Sequence, residues 1–286
     1  QMKETILIIG ASGSIGLEVA NRLIEKEKHV RIAVRDPEKA KKLKLNNSDF
    51  VHFEYTKEET FKPAFEKVKK ILLVSPPSFL NIHKQVNKAI DDAIKEKVKL
   101  IVNISAMGTE NDTKDPMCII ENHIINSGID YVLLRPNCYM QNFKDLFRDF
   151  IKDDDEISAP AEDTKTSFVD LRDVADFAVQ ALLKANLKNK SYTLTGSQAL
   201  NMHVISFLFT EALNREINYR KISEEKFKKI LQGSGWSQVT IEGTMQLCNY
   251  IKGNSNSQIT DDIKKVLKRE PIKFQKFIMD NLKNWK

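Results

Sequence analysis

The sequence predicts an α/β fold: a doubly wound parallel sheet followed by a smaller, mostly helical carboxyl-terminal lobe. Three observations predict it. A β-branched apolar run, Thr5 to Ile9, leads through glycines into a segment with helical apolar spacing. Strand-like and helix-like segments then alternate as far as Pro136, the pattern of strand–helix–strand units with right-handed crossovers. From Ser223 onward the pattern is mostly helical, broken at Gly233-Ser234-Gly235 and in the polar stretch Gly253 to Ser257.

The opening stretch organises the rest. Gly10, Gly13 and Gly16 form a G-x-x-G-x-x-G turn between the first strand and Leu17 to Ile24. A glycine first in such a turn permits a tight reversal, and a missing Cβ lets backbone N–H groups approach phosphates. The helix then offers unpaired donors and a positive dipole end. Gly10, Ala11, Ser12, Gly13, Ser14, Ile15 and Gly16 are therefore expected to hold a dinucleotide pyrophosphate, which makes the sheet Rossmann-type.

The second strand, His29 to Arg35, alternates and stops at Asp36-Pro37, where a helix opens with proline at a permitted first-turn position. Residue 36 lies about twenty past the last glycine, where this fold reads the adenosine ribose. Arg35 with Lys39 one turn on makes a phosphate clamp, and Asp36 serves either as a hydroxyl reader or as a helix cap. The charge argument favours NADP(H) over NAD(H).

Further strands are expected at Phe50 to Tyr55, Lys70 to Ser75, Leu100 to Ser105 and Tyr131 to Pro136. Helices are expected at Thr60 to Val68, Asn81 to Lys97 and Met117 to Ser127, the last closed by Gly128. Ligands lie beyond the carboxyl ends of such strands. That places Tyr55, Ser75, Pro76, Asn103, Ser105, Pro136 and Asn137 at the cofactor, and Pro77, Cys138 and Tyr139 toward a substrate, while Glu121 reads either as a substrate contact or as a cap on its helix face. The expected division is a nucleotide-binding domain at residues 1–155. A mixed segment, 156–286, completes the sheet and forms a smaller substrate lobe. At the boundary between them Asp153 to Glu156 reads as a solvated loop, not a metal site. Ser167-Phe168-Val169, Ser191 to Gly196 and Ile217 to Arg220 read as short strands.

Composition excludes several classes. Of 286 residues, 41% are hydrophobic and 29% charged, ordinary for a globular chain long enough to bury a substantial core. The net charge of +6 comes from lysines spread along the chain, a solvated pattern without the aromatic or polar base readers of a nucleic-acid binder. Three distant cysteines, Cys118, Cys138 and Cys248, fit a reducing compartment, and the absence of any C-x-x-C pair argues against structural zinc. No signal-peptide pattern and no membrane-length apolar run is seen, so a cytoplasmic protein is expected. Its expected partner is a small molecule, with no metal, nucleic acid or membrane; a homodimer is left open.

Read together, these segments resemble the NmrA-like, NAD(P)H-binding group of atypical short-chain dehydrogenase/reductases. The resemblance runs from about Thr5 to about Gly233. It rests on Gly10 to Gly16, Val34 to Ala40, Ile71 to Ser75, Ser127 to Pro136, Tyr139 to Asn142 and Phe168 to Ala175, in this order and spacing. It implies NADP(H) preference with Arg35 and Lys39 at the 2′-phosphate. It also implies that the loop after Val74 and the Asn103–Ser105 segment line the nicotinamide side, and that Pro136 to Asn142 borders a substrate cleft. One departure matters. Catalytic short-chain dehydrogenases use Tyr-x-x-x-Lys, the lysine lowering the tyrosine pKa, whereas this chain has Met117 to Glu121 there. Quinone reduction tolerates that loss, because water can protonate the reduced oxygen. The expectation is thus an NADPH-dependent reductase of a quinone-like or unsaturated small molecule, with no catalytic residue assigned. A non-catalytic NADP(H)-sensing regulator is the alternative. A sugar-nucleotide epimerase ranks behind both, since that chemistry needs the absent tyrosine.

Overall fold

The computed structural model describes residues 4–11, 13–41, 45–161, 163–252 and 254–286. Contacts divide the chain into two compact units, Gln1–Pro136 with Val174–Thr193, and Asn137–Asp173 with Leu194–Lys286.

The first unit is built from β1 (Thr5–Ile9), α1 (Ser14–Glu25), β2 (His29–Val34), α2 (Pro37–Ala40), β3 (Ser48–His52), α3 (Phe61–Phe65) and β4 (Val68–Val74). It continues through α4 (His83–Lys95), β5 (Leu100–Ile104), α5 (Pro116–Asn126) and β6 (Asp130–Pro136). The seven-stranded sheet has the order β3-β2-β1-β4-β5-β6-β8, where β8 is Lys190–Leu194. Its registers are parallel, Ile8 opposite Ile32 and Leu72, Leu72 opposite Val102, and Val102 opposite Val132. β8 runs the same way as β6: Asn189 N–H donates to Tyr131 O and Asn137 N–H to Leu194 O. The reversal of strand order at β1/β4 is the switch point that gives doubly wound sheets their ligand crevice.

All five residues of β1 and of β5 are buried, as parallel strands covered on both faces require. One face buries Leu7, Ile71, Leu73, Ile101 and Leu133 against Phe61, Phe65, Ala89 and Ile120 of α3, α4 and α5. On the first unit's side of α8 (Leu171–Leu183), Asp176 forms an ion pair with Arg22 of α1 at 2.9 Å.

The second unit holds α6 (Asn142–Leu146), α7 (Arg148–Asp153), β7 (Glu156–Ala159), α9 (Met202–Leu213) and β9 (Asn218–Lys221). After these come α10 (Glu224–Gly233), α11 (Gln238–Lys252), α12 (Asp262–Leu267) and α13 (Phe274–Asp280). Its core is aromatic. Phe143 meets Phe274 edge-on at 5.0 Å, and Phe209 meets the fully buried Trp285 at 5.0 Å.

Several local expectations shift. The third strand pairs from Ser48, although Phe53 N–H still donates to Val34 O at 2.9 Å. The helix expected at Thr60 to Val68 stops at Phe65, because Lys67 takes φ +62° before β4. Of the acidic run, Asp153 closes α7 while Glu156 opens β7, which pairs parallel with β9. In place of a strand at Ser167 to Val169 there are isolated bridges, Val169 opposite Tyr139 and the preceding Thr166 opposite Leu200. The division falls at Asn137 instead of residue 156, because α6 and α7 bury Phe143, Phe147 and Ile151 in the aromatic core.

Candidate functional site

The glycine turn is shaped by close approach. Gly10 has φ +101°, and a Cβ on it would lie 2.7 Å from the Val74 Cβ. The end of β1 therefore packs directly on the end of β4. Gly13 N–H donates to Gly10 O at 3.1 Å, closing the turn. Gly16 packs the first turn of α1 onto that loop; its Cβ would come 2.6 Å from Gly10 O. Gly13 stands at the amino end of α1 with no side-chain cap, and no acid occupies the first turn. Such an end keeps N–H donors and partial positive charge for an anion. Ala11, Ile15 and Gly16 are buried while Gly13 and Ser14 are exposed; Ser12 lies outside the described residues. The uncapped amino end of α1, with no acid in its first turn, has the donors and charge that fit a dinucleotide pyrophosphate.

Arg35 stands exposed at the end of β2, and Asp36 opens α2 by accepting Ala40 N–H at 3.1 Å. The Lys39 side chain lies outside the described residues. Tyr55 packs edge-on against Phe53 at 5.0 Å, with its hydroxyl buried and unpartnered among the described residues. Burial pushes that phenol up, so it stays protonated.

At the ends of β4 and β5 a polar cluster forms on the face covered by α5. Ser75 Oγ donates to Asn103 Oδ1 at 2.9 Å, and Ser75 N–H donates to Ile104 O. Ser105 Oγ donates to Glu121 Oε1 at 2.5 Å. Glu121, only 1% exposed, is gripped by Arg135 through Nε at 3.1 Å and Nη2 at 2.6 Å. Arg135 also reaches Glu110 at 3.3 Å. A buried carboxylate persists only with such compensation. Pro136 closes β6, its carbonyl accepting Met107 N–H at 2.9 Å. Pro76 is half-buried and Pro77 exposed. Ser75 meets Asn103 and Ser105 meets Glu121, while Arg35 and Tyr55 stand at the separate ends of β2 and β3.

Sequence reasoning placed Glu121 without a partner and missed Arg135 and Glu110. The available signal was an arginine two residues after buried Leu133 on the same strand face, which must find a carboxylate if buried.

In the second unit, Asn137 is 3% exposed and fully committed. Its Nδ2 donates to Ser167 Oγ at 2.8 Å and Asn256 O at 2.9 Å, and its Oδ1 accepts Cys138 N–H. Cys138 is buried and its thiol pushed up by desolvation. Tyr139 is half-buried, and desolvation likewise holds its phenol protonated. Asn142 begins α6, its N–H donating to Tyr139 O at 3.2 Å. The neighbouring Gln141 bridges Asp170 Oδ1 and Leu171 N–H, both at 2.9 Å, an anchor that sequence reasoning did not single out.

No group of three or more His, Cys, Asp or Glu among the described residues is arranged to hold a metal, and no helix of the described residues is long and apolar enough to cross a membrane. The model of the NmrA-like family matches residues 2–278. The chain belongs to the NmrA-like family. Among relatives of this NmrA-like protein, the NAD(P)H azoreductase of Xenophilus azovorans is 27% identical, the match covering 95% of this chain and 96% of that one. The triphenylmethane reductase of Citrobacter sp., solved with NADP(H), matches with TM-score 0.87 at 21% identity, covering 97% and 99%. The NADPH-dependent quinone oxidoreductase of Escherichia coli, solved with NADPH, matches at TM-score 0.85 and 22% identity, covering 97% and 99%. These two structures share the fold.

Proposed function

We propose that this NmrA-like protein binds NADP(H) at the Gly10–Gly16 turn and reduces a quinone-like or unsaturated small molecule. The observation that carries the reading is the uncapped amino end of α1 seated on Gly10 by a glycine that admits no Cβ. Arg35, with Lys39 as its expected partner, would hold the 2′-phosphate, since a guanidinium fork matches the phosphate oxygens. The names and bound nucleotides of the azoreductase, triphenylmethane reductase and quinone oxidoreductase relatives support the same class.

The nicotinamide supplies a hydride when bound. Of the chain's own residues, Val74 backs the turn, and Ser75 with Asn103 stiffens the strand ends beside it. α5 carries neither tyrosine nor lysine, so no pair of the short-chain dehydrogenase type supplies a proton from that helix. A quinone would need no such pair, because water can protonate its reduced oxygen. Stopped-flow oxidation of bound NADPH against a panel of quinones and azo compounds tests this. Acceleration by at least one acceptor is expected. Tight NADPH binding with no acceleration by any acceptor would point to a nucleotide-sensing protein instead.

A further inference from the structure

We propose that Glu121 is a positioning residue that turns Ser105 into a hydrogen-bond acceptor for an N–H or O–H group of the bound nucleotide. The inference rests on the NADP(H) reading above and deepens it.

A serine hydroxyl has one hydrogen and two acceptor lone pairs. At Ser105 the hydrogen is taken: Oγ donates to Glu121 Oε1 at 2.5 Å, in the range of a charge-assisted bond. Glu121 is not free to turn away. Arg135 holds its Oε2 through Nε and Nη2, and also reaches Oε1 from Nε at 3.2 Å. Arg135 is fixed in turn by Glu110 on its other side. The acceptor that competes for the Ser105 hydrogen is Leu134 O at 3.5 Å, too long to win it.

The backbone fixes the residue as firmly. Ser105 N–H donates to Leu134 O at 3.0 Å, so β5 and β6 hold Ser105 at the carboxyl edge of the sheet. What Ser105 then offers is lone pairs only. It has no hydrogen left to donate to a ligand oxygen. The ligand group that satisfies it must donate. A reduced nicotinamide nucleotide has two such groups near its ring, the carboxamide N–H2 and the ribose 2′-hydroxyl.

The test titrates the full-length chain with three reduced nucleotides, read by nucleotide fluorescence. They are NADPH, its 3-acetylpyridine analogue with methyl in place of the amide N–H2, and the analogue lacking the nicotinamide ribose 2′-hydroxyl. The wild-type chain should bind one analogue about tenfold more weakly than NADPH, the size of one hydrogen bond, and that analogue identifies the donor. Ser105→Ala should bind all three within about twofold. Glu121→Gln keeps Ser105 but can offer it an amide N–H, releasing the hydroxyl hydrogen; it too should lose the preference. Thermal melts confirm that each variant is folded, and Ser105→Ala decides the matter if Glu121→Gln is not. Equal binding of all three by the wild type, or a preference that survives Ser105→Ala, overturns the inference. Failure of the wild type to bind NADPH overturns the NADP(H) reading instead.

Discussion

Gly16 lies so close to Gly10 that a Cβ on it would come 2.6 Å from Gly10 O and 2.8 Å from the Ala11 Cα. These are backbone atoms and cannot swing aside. Gly16→Ala must therefore lift α1 off the turn, costing about 1–3 kcal/mol as an overpacking change and weakening NADPH binding at least about tenfold. Gly13 provides the control. Its φ of −94° suits any residue, and its Cβ would meet Gly10 O at an ordinary 3.5 Å. Gly13→Ala should cost roughly 1 kcal/mol or less, as an inferior helix cap. Urea unfolding of both variants checks the contrast; equal losses of stability would contradict it.

Arg135 and Glu121 should behave as one unit. Arg135→Ala leaves a carboxylate that is 1% exposed without its guanidinium, and should destabilise by about 3–5 kcal/mol. Replacing both, as Arg135→Met with Glu121→Leu, should recover most of that loss, since well-packed apolar pairs replace buried ion pairs at little cost. A double-mutant cycle measures it. Simple additivity of the two losses would refute the coupling.

The glycine turn was legible because its parts are neighbours in sequence: a buried strand, three glycines and an amphipathic helix declare themselves within twenty residues. The strand–helix alternation up to Pro136 was legible for the same reason. The Ser105–Glu121–Arg135 cluster was not, because it depends on how α5 rests on β6, which no local pattern encodes. Glu121 alone reads equally as a ligand contact or a helix surface. β7 was hidden by composition: Asp153, Asp154 and Asp155 dominate the window, while the buried part, Ile157 to Ala159, is too short to show alternation. The second unit's core joins Phe143 to Phe274 and Trp285, residues far apart in the chain whose meeting only the folded backbone reveals.

Two carboxylates of the second unit should shift stability in opposite directions with pH. Asp280 is held below the usual carboxylate range by Lys276 and Arg172. A depressed folded-state pKa contributes stability above the unfolded value, near 3.8, and loses it as pH falls through the folded value. Asp173 is raised above 3.8 by desolvation, only partly offset by Ile272 N–H and Arg269. Its contribution is full below 3.8 and falls as pH rises through its folded value. Relative to Asp280→Asn, the wild type should therefore lose advantage on acidification; relative to Asp173→Asn it should gain. Melting temperatures between pH 7 and pH 3 check both signs.

The thiols should be inert in the native state. Burial raises all three, Cys248 to about 12, and Glu121 adds to the effect at Cys118. Thiolate is the reactive form. An aromatic disulfide reagent at pH 8 should titrate no thiol rapidly in the folded chain and all three in denaturant. Fast reaction of Cys138 in the folded chain would contradict its burial.

Calorimetric titration of the purified chain with NADPH, and separately with NADH, tests the central claim most directly. The account predicts one NADPH bound per chain, more tightly than NADH, with the difference removed by Arg35→Ala. Absence of heat and saturation with both nucleotides would contradict it.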